Sequence, residues 1–275
     1  MKKYYSIILI ILPLLSACNN YNALLKSGNF SYRYEVAKQY YAEGSYNRAT
    51  MMLSDVVAAL KGTDKGEESL YLLGLSSYKA HDYDAASTYF KKYYQSYPRG
   101  LYSEEARYMS GMALYESTPE ARLDQGATYD AVTELQGFME TYPESRFRKD
   151  AQKHIFELQD KLVEKEYLSA KLYYDLGAYI GNGSNGNYQA CIVTAENALR
   201  DYPYMTRRED FAFLILKAKF EYAKNSVLAR QEERYASAID EYYGFQSEFP
   251  ESKHNKEAEN YFRHVPQQFK GKKNS

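Results

Sequence analysis

The sequence predicts an all-α fold: a superhelix of stacked helix pairs, about five of them, followed by a single C-terminal helix. Tyrosines recur at a fixed interval. Tyr34, Tyr71 and Tyr108 form one series 37 residues apart, and Tyr41, Tyr78 and Tyr115 form a second; each pair brackets a small residue, Ala37, Gly74 or Gly111. A fixed period of this length marks an array of like units, each burying its apolar face against the next. An aromatic residue followed by proline closes a unit four times, at Tyr97-Pro98, Tyr142-Pro143, Tyr202-Pro203 and Phe249-Pro250. Ala106, Ala151 and Ala258 each lie eight residues after such a proline, preceded by Glu105, Asp150 and Glu257, so a helix restarts at a constant distance from each turn.

Residues 1–17 read as an address rather than as part of the fold. Lys2 and Lys3 precede a nearly unbroken apolar run, Ile7 to Leu15, and Ser16 and Ala17 are small. The run is too short to span a bilayer and has the layout of a secretory signal. Its ending, Leu15-Ser16-Ala17-Cys18, resembles the bacterial lipobox, which implies cleavage before Cys18 and acylation of that cysteine. Several acyl chains on one residue would anchor the chain firmly. Asn19, rather than Asp, favours the outer membrane. Residues 18–30 are then a lipidated leader. With Cys18 acylated, Cys191 has no partner for an intramolecular disulfide, and its small-residue position predicts a buried, inert thiol.

The units follow in order. Ala37, Tyr40, Gly44, Tyr46, Ala49 and Leu53 in the first, and Gly74, Tyr83, Ala86, Phe90 and Pro98 in the second, fall on signature positions that resemble the tetratricopeptide repeat, with His81 where glycine is usual. Small residues let paired helices approach and large ones fill the gaps between pairs; proline ends the second helix. The third unit carries an insertion around Ser117 to Gly126. The fourth has a long lead-in helix, near Phe147 to Lys165, and a glycine-rich insertion from Gly177 to Gly186. A last helix is expected near Ser252 to His264. Residues 31–146 and 147–265 thus form N-terminal and C-terminal repeat regions, and 266–275 read as a disordered tail.

Composition narrows the function. A net charge of −1 argues against nucleic acid, which needs a basic face. The glycine-rich insertion lacks the Lys-Ser/Thr ending of a phosphate loop and follows no strand. His81, His154, His254 and His264 are far apart, and the last two are ten residues apart rather than the four of a helical metal pair. No catalytic constellation, metal site or cofactor site stands out, and an enzyme built on this scaffold would need one. Charged residues of both signs intermix, as on solvated helix faces.

Tyrosine is the unusual entry, with 32 Tyr and 12 Phe but no Trp. Tyr34 and Tyr41 are seven residues apart, on one helix face two turns apart. Stacking three such helices would set Tyr34, Tyr41, Tyr71, Tyr78, Tyr108 and Tyr115 along one surface, with Lys38 and Lys79 beside them. Such a groove would suit an extended peptide rich in aromatics, the lysines pairing with a C-terminal carboxylate. The opposing reading is that the rings pack only against one another inside the array.

The lipobox, the helix pairs and the Tyr-Pro turns together resemble the BamD family of outer-membrane β-barrel assembly lipoproteins. The resemblance is clearest from Tyr142-Pro143-Glu144-Ser145 through Asp150-Ala151, Asp160-Lys161-Leu162, Glu166-Tyr167 and Tyr173-Tyr174 to Leu199-Arg200-Asp201-Tyr202-Pro203. It implies a periplasmic scaffold whose N-terminal repeats receive the C-terminal signal of unfolded outer-membrane proteins. The C-terminal repeats would bind the POTRA domains of a BamA-type barrel protein. The glycine-rich insertion and the longer C-terminal region depart from that pattern. A nutrient-capture lipoprotein resembling SusD is the alternative, although such proteins are usually longer and use Trp against sugar rings.

Overall fold

A computed structural model describes residues 28–177 and 186–270, and every regular element among them is helical. The elements are α1 (Phe30–Ala42), α2 (Tyr46–Ala59), α3 (Asp64–Lys79), α4 (Tyr83–Ser96), α5 (Ser103–Ser117), α6 (Gly126–Thr141), α7 (Arg148–Leu176), α8 (Gly186–Asp201), α9 (Arg208–Lys224), α10 (Leu228–Glu248) and α11 (Asn255–Arg263), followed by a 3-10 turn at Gln267–Phe269. These are five pairs and a last helix, the tetratricopeptide-type array the repeats predict. Cys18, residues 178–185 of the glycine-rich insertion and residues 271–275 lie outside the described residues.

Local chemistry sets the helix starts. The side chains of Asn29, Thr63 and Asp82 cap α1, α3 and α4 by accepting from the backbone N–H of Tyr32, Gly66 and Ala85, which satisfies donors that no earlier carbonyl can reach. Within pairs, the small residues act as expected. An added methyl group on Gly74 would lie 2.8 Å from the Phe90 ring, and one on Gly111 would lie 2.5 Å from the Leu135 side chain. The turn between α1 and α2 uses Gly44 at φ 75, and the equivalent turn between α3 and α4 forces His81 to φ 61, a region that disfavours any residue with a Cβ.

The chain divides into two compact units. One holds the described residues up to Pro119 together with Gly126–Ile155; the other holds Glu120–Gln125 and the described residues from Phe156 onward. The division falls within α7. That helix runs unbroken for 29 residues, so the expected lead-in helix and the first helix of the fourth pair are one element; no glycine or proline stands between them to stop it. In the first unit, Met52, Leu53, Val56 and Leu73 pack around Tyr34, and Leu70, Phe90 and Tyr93 around Tyr71. In the second, Phe211 to Leu216 are all buried. Phe211, Leu214 and Ile215 join one core cluster with α8; Ala212, Phe213 and Leu216 join another with α10 and α11. This six-residue stretch is buried on all sides and apolar on all sides, and it puts the first half of α9 at the centre of this unit.

The tail does not begin without structure at 266: Phe269 stacks on Tyr235 with ring centroids 5.1 Å apart, and Lys270 donates to the Arg263 carbonyl. The insertion before α6 is an ordered loop. The buried Gln125 amide donates to the carbonyls of Glu120 (2.8 Å) and Leu123 (3.1 Å), supplying partners that no helix provides there.

Candidate binding surface

The two tyrosine series part company in the folded chain. Tyr34, Tyr71 and Tyr108 are buried, at 2, 6 and 7% exposure, and do not line a groove. Each is covered by a residue from the start of the next unit. Tyr102 stacks on Tyr71 (4.3 Å, 3°) and Phe147 on Tyr108 (4.5 Å, 6°), while the Lys65 ammonium lies 5.4 Å from the Tyr34 ring centre. Three residues after each cover comes an acid facing the tyrosine hydroxyl: Glu68, Glu105 and Asp150. Tyr108 completes the hydrogen bond to Asp150. Tyr34 does not; its buried hydroxyl faces Glu68 without hydrogen-bond geometry. Burial first, and the facing carboxylate second, push all three phenols well above their usual range.

The same clamp continues in the second unit, at residues the periodic series did not include. Arg207 lies 4.3 Å over the Tyr167 ring with Asp210 three residues on, and His254 stacks on Phe213 at 4.2 Å with Glu257 three residues on. The insertion before α6 and the long lead-in of α7 together shift Tyr167 out of the 37-residue frame, and the glycine-rich insertion then shifts Phe213. A usable signal was present, however: each cover stands four residues after the proline of its turn, at Tyr102, Phe147, Arg207 and His254. The first series is therefore the joint between successive helix pairs.

The second series stays nearer the surface. Tyr41, Tyr78 and Tyr115 are half-buried. Tyr41 packs edge-on against Tyr46 (5.5 Å) and Tyr78 against Tyr83 (5.4 Å), each the first residue of the partner helix; Tyr115 leans on His154 (4.4 Å). Burial, then Glu116 and Tyr83, push the Tyr78 phenol up to about 12. Lys38 is exposed but engaged, 3.2 Å from Glu68 and 5.2 Å from the Tyr34 ring centre. Lys79 is exposed at the C-terminal end of α3, where the helix dipole favours a cation. By repeat register the three braced rings form a ledge, and Lys79, next to Tyr78 in sequence, makes no ion pair among the described residues. Together they present apolar ring surface and positive charge to solvent. Cys191 is buried, and burial pushes its thiol up to about 12, so it is inert. Among the described residues no group of three His, Cys, Asp or Glu could hold a metal ion, and no helix is long and apolar enough to cross a membrane.

An array of helix pairs joined by ring clamps, with a braced aromatic ledge, is a scaffold of the tetratricopeptide class. The chain belongs to the YfiO family, described as outer membrane lipoprotein, whose model matches residues 28–182; that family is one of scaffold proteins rather than enzymes. Among its relatives, the outer membrane protein assembly factor BamD of Caulobacter vibrioides is 23% identical over 149 residues, 54% of this chain and 48% of that protein. The factor of the same name from Pasteurella multocida is 23% identical over 157 residues, 54% of this chain and 60% of that protein. The chain thus spans about half of the length of the curated relatives it matches. A solved thermophilic tetratricopeptide protein of Thermus thermophilus is 13% identical with a TM-score of 0.33, over 85% of this chain and 99% of that one.

Proposed function

We propose that this chain is a lipid-anchored scaffold on the periplasmic face of the outer membrane that assists the assembly of outer-membrane β-barrel proteins. In this reading, lipid on Cys18 ties it to the membrane. The N-terminal unit holds an extended, aromatic-ended segment of an unfolded client on Tyr41, Tyr78 and Tyr115, with Lys79 set to meet a terminal carboxylate. The C-terminal repeats bind the POTRA domains of a BamA-type barrel protein. The observation that carries the reading is the ledge: three rings at one repeat position, braced from behind and half in water, within a chain of the YfiO family. Rigid, partly exposed aromatics are favoured binding anchors, because little side-chain freedom is lost on contact. The test is detergent extraction of the lipidated protein from native membranes, capture, and mass spectrometry of what accompanies it. Stoichiometric recovery of a POTRA-containing barrel protein is the expected result. Recovery of a nutrient transporter, or of no stable companion, overturns the proposal.

A further inference from the structure

The second unit carries a surface that neither tyrosine series uses. Phe156, on α7, is 59% exposed, and Tyr204, in the turn between α8 and α9, is 98% exposed. One ring in water is ordinary; several around one cavity mark an interaction site. Phe156 and Tyr204, with Tyr202, wall a cavity of about 160 Å³ whose floor is the buried Val163 and Met205. Two carboxylates join this lining, Asp160 and Asp201. Asp160 stands one turn beyond Phe156 on the same face of α7 and makes no ion pair among the described residues. Among the described residues Asp201 pairs only with its exposed neighbour Arg200, at 3.1 Å.

Ring faces attract cations, and carboxylates at the same mouth add to that attraction. The volume suits the head of one side chain better than a folded element. Between the two basic side chains, arginine fits better: its planar guanidinium stacks on rings and presents a fork of donors to paired carboxylates, whereas an ammonium is a compact, strongly hydrated charge. The unit already seats guanidinium groups in this way, Arg207 over Tyr167 at 4.3 Å and Arg234 over Tyr222 at 3.8 Å. The geometry points to a docking site for a single arginine side chain presented by an exposed segment of a partner protein, with Phe156, Tyr202 and Tyr204 as the cage and Asp160 and Asp201 as the charge partners. The site is separate from the ledge of the first unit and does not depend on it.

The experiment is a nuclear magnetic resonance titration of the isotope-labelled full chain in detergent with N-acetyl-arginine amide, and in parallel with the lysine, citrulline and phenylalanine amides. Saturable shifts confined to Phe156–Val163 and Asp201–Met205, strongest with the arginine probe, are expected. Tyr204→Ala should weaken that binding about threefold to tenfold, and Asp160→Asn about twofold to fivefold. Both side chains are exposed, so the far-UV circular dichroism of each variant should match the parent. Absence of saturable shifts overturns the proposal. So does an equal response to neutral citrulline, or tighter binding of the phenylalanine probe, which would make the cavity an apolar pocket. Equal binding of lysine overturns the assignment to arginine.

Discussion

Tyr108 is held in two separable ways, by the stack of Phe147 on its ring and by the hydrogen bond from its hydroxyl to Asp150. Tyr108→Phe keeps the stack and removes a bond to a charged acceptor, and should cost about 1.5–3 kcal/mol. Tyr108→Ala also empties a buried aromatic site and should cost about 3–5 kcal/mol. Chemical denaturation of the two variants would check this order; equal losses would mean that the bond carries the joint and the stack does not. A second residue is under strain. His81 adopts φ 61 where the equivalent turn has Gly44, and its ring Nδ1 lies 2.7 Å from the exposed Tyr83 hydroxyl. His81→Gly relieves the left-handed conformation but enlarges the freedom of the unfolded chain and gives up that exposed contact. A net gain of about 0.5–1 kcal/mol is expected, read as a higher thermal midpoint; a lower one would show that the contact to Tyr83 outweighs the strain.

At the scale of the helix pair, the repeat depends on close approach and on neutral phenols. Gly111→Ala places a methyl group 2.5 Å from the Leu135 side chain, and the resulting overpacking should cost about 1–3 kcal/mol. An unchanged stability would mean that α5 and α6 separate freely, against the packing described. The phenols give the pairs a pH limit. Tyr34, Tyr71, Tyr78 and Tyr108 all have folded pKa values raised above the ordinary 10.0, chiefly by burial. A raised folded pKa favours the protonated form in the native state. The associated stability is therefore complete below pH ~10 and is lost as pH rises through the folded values. Circular dichroism melts should hold a constant midpoint up to about pH 9.5 and fall steeply above it. Tyrosinate absorbance should rise together with the loss of helix; phenols that titrate freely before unfolding would contradict their burial. Glu68 acts at the opposite end. Its carboxyl is held below the usual range, first by Tyr34 and then by Lys38, so its contribution is present above the ordinary glutamate pKa and is lost on acidification through the lowered one.

At the scale of the whole molecule, the proposal couples an anchor to a binding ledge. Cys18→Ala should move the protein from the membrane to the soluble fraction without changing its helix content, checked by fractionation and circular dichroism; persistent membrane association would mean that the anchor lies elsewhere. Replacing Tyr41, Tyr78 and Tyr115 together by Ala should weaken binding of a synthetic peptide ending in phenylalanine by at least about tenfold, as loss of aromatic anchors does. Fluorescence anisotropy of the labelled peptide would measure it. The same loss from Tyr34→Phe, which leaves a buried ring in place, would argue that any change in the first unit disturbs binding and that the ledge is not the contact.

Helix pairing, the number of pairs and their turns were legible in the sequence, because they follow from local chemistry: Ala37, Gly74 and Gly111 where helices touch, Pro98, Pro143, Pro203 and Pro250 where they stop. The fate of each tyrosine was not. Tyr34 and Tyr41 share a helix face, and periodicity alone cannot tell the ring that the next helix covers from the ring it leaves at the edge. That choice depends on Lys65, Tyr102 and Phe147, supplied from a neighbouring unit by turns whose geometry the spacing does not encode. The extension of the clamp to Tyr167 and Phe213 was hidden for the same reason, since insertions break the period while packing preserves the contact. From the sequence alone, this chain was legible as an array of paired helical repeats. Which aromatic rings are buried in the joints and which stay half in water emerged only on folding, because burial is a property of neighbours brought together and not of the residue that is buried.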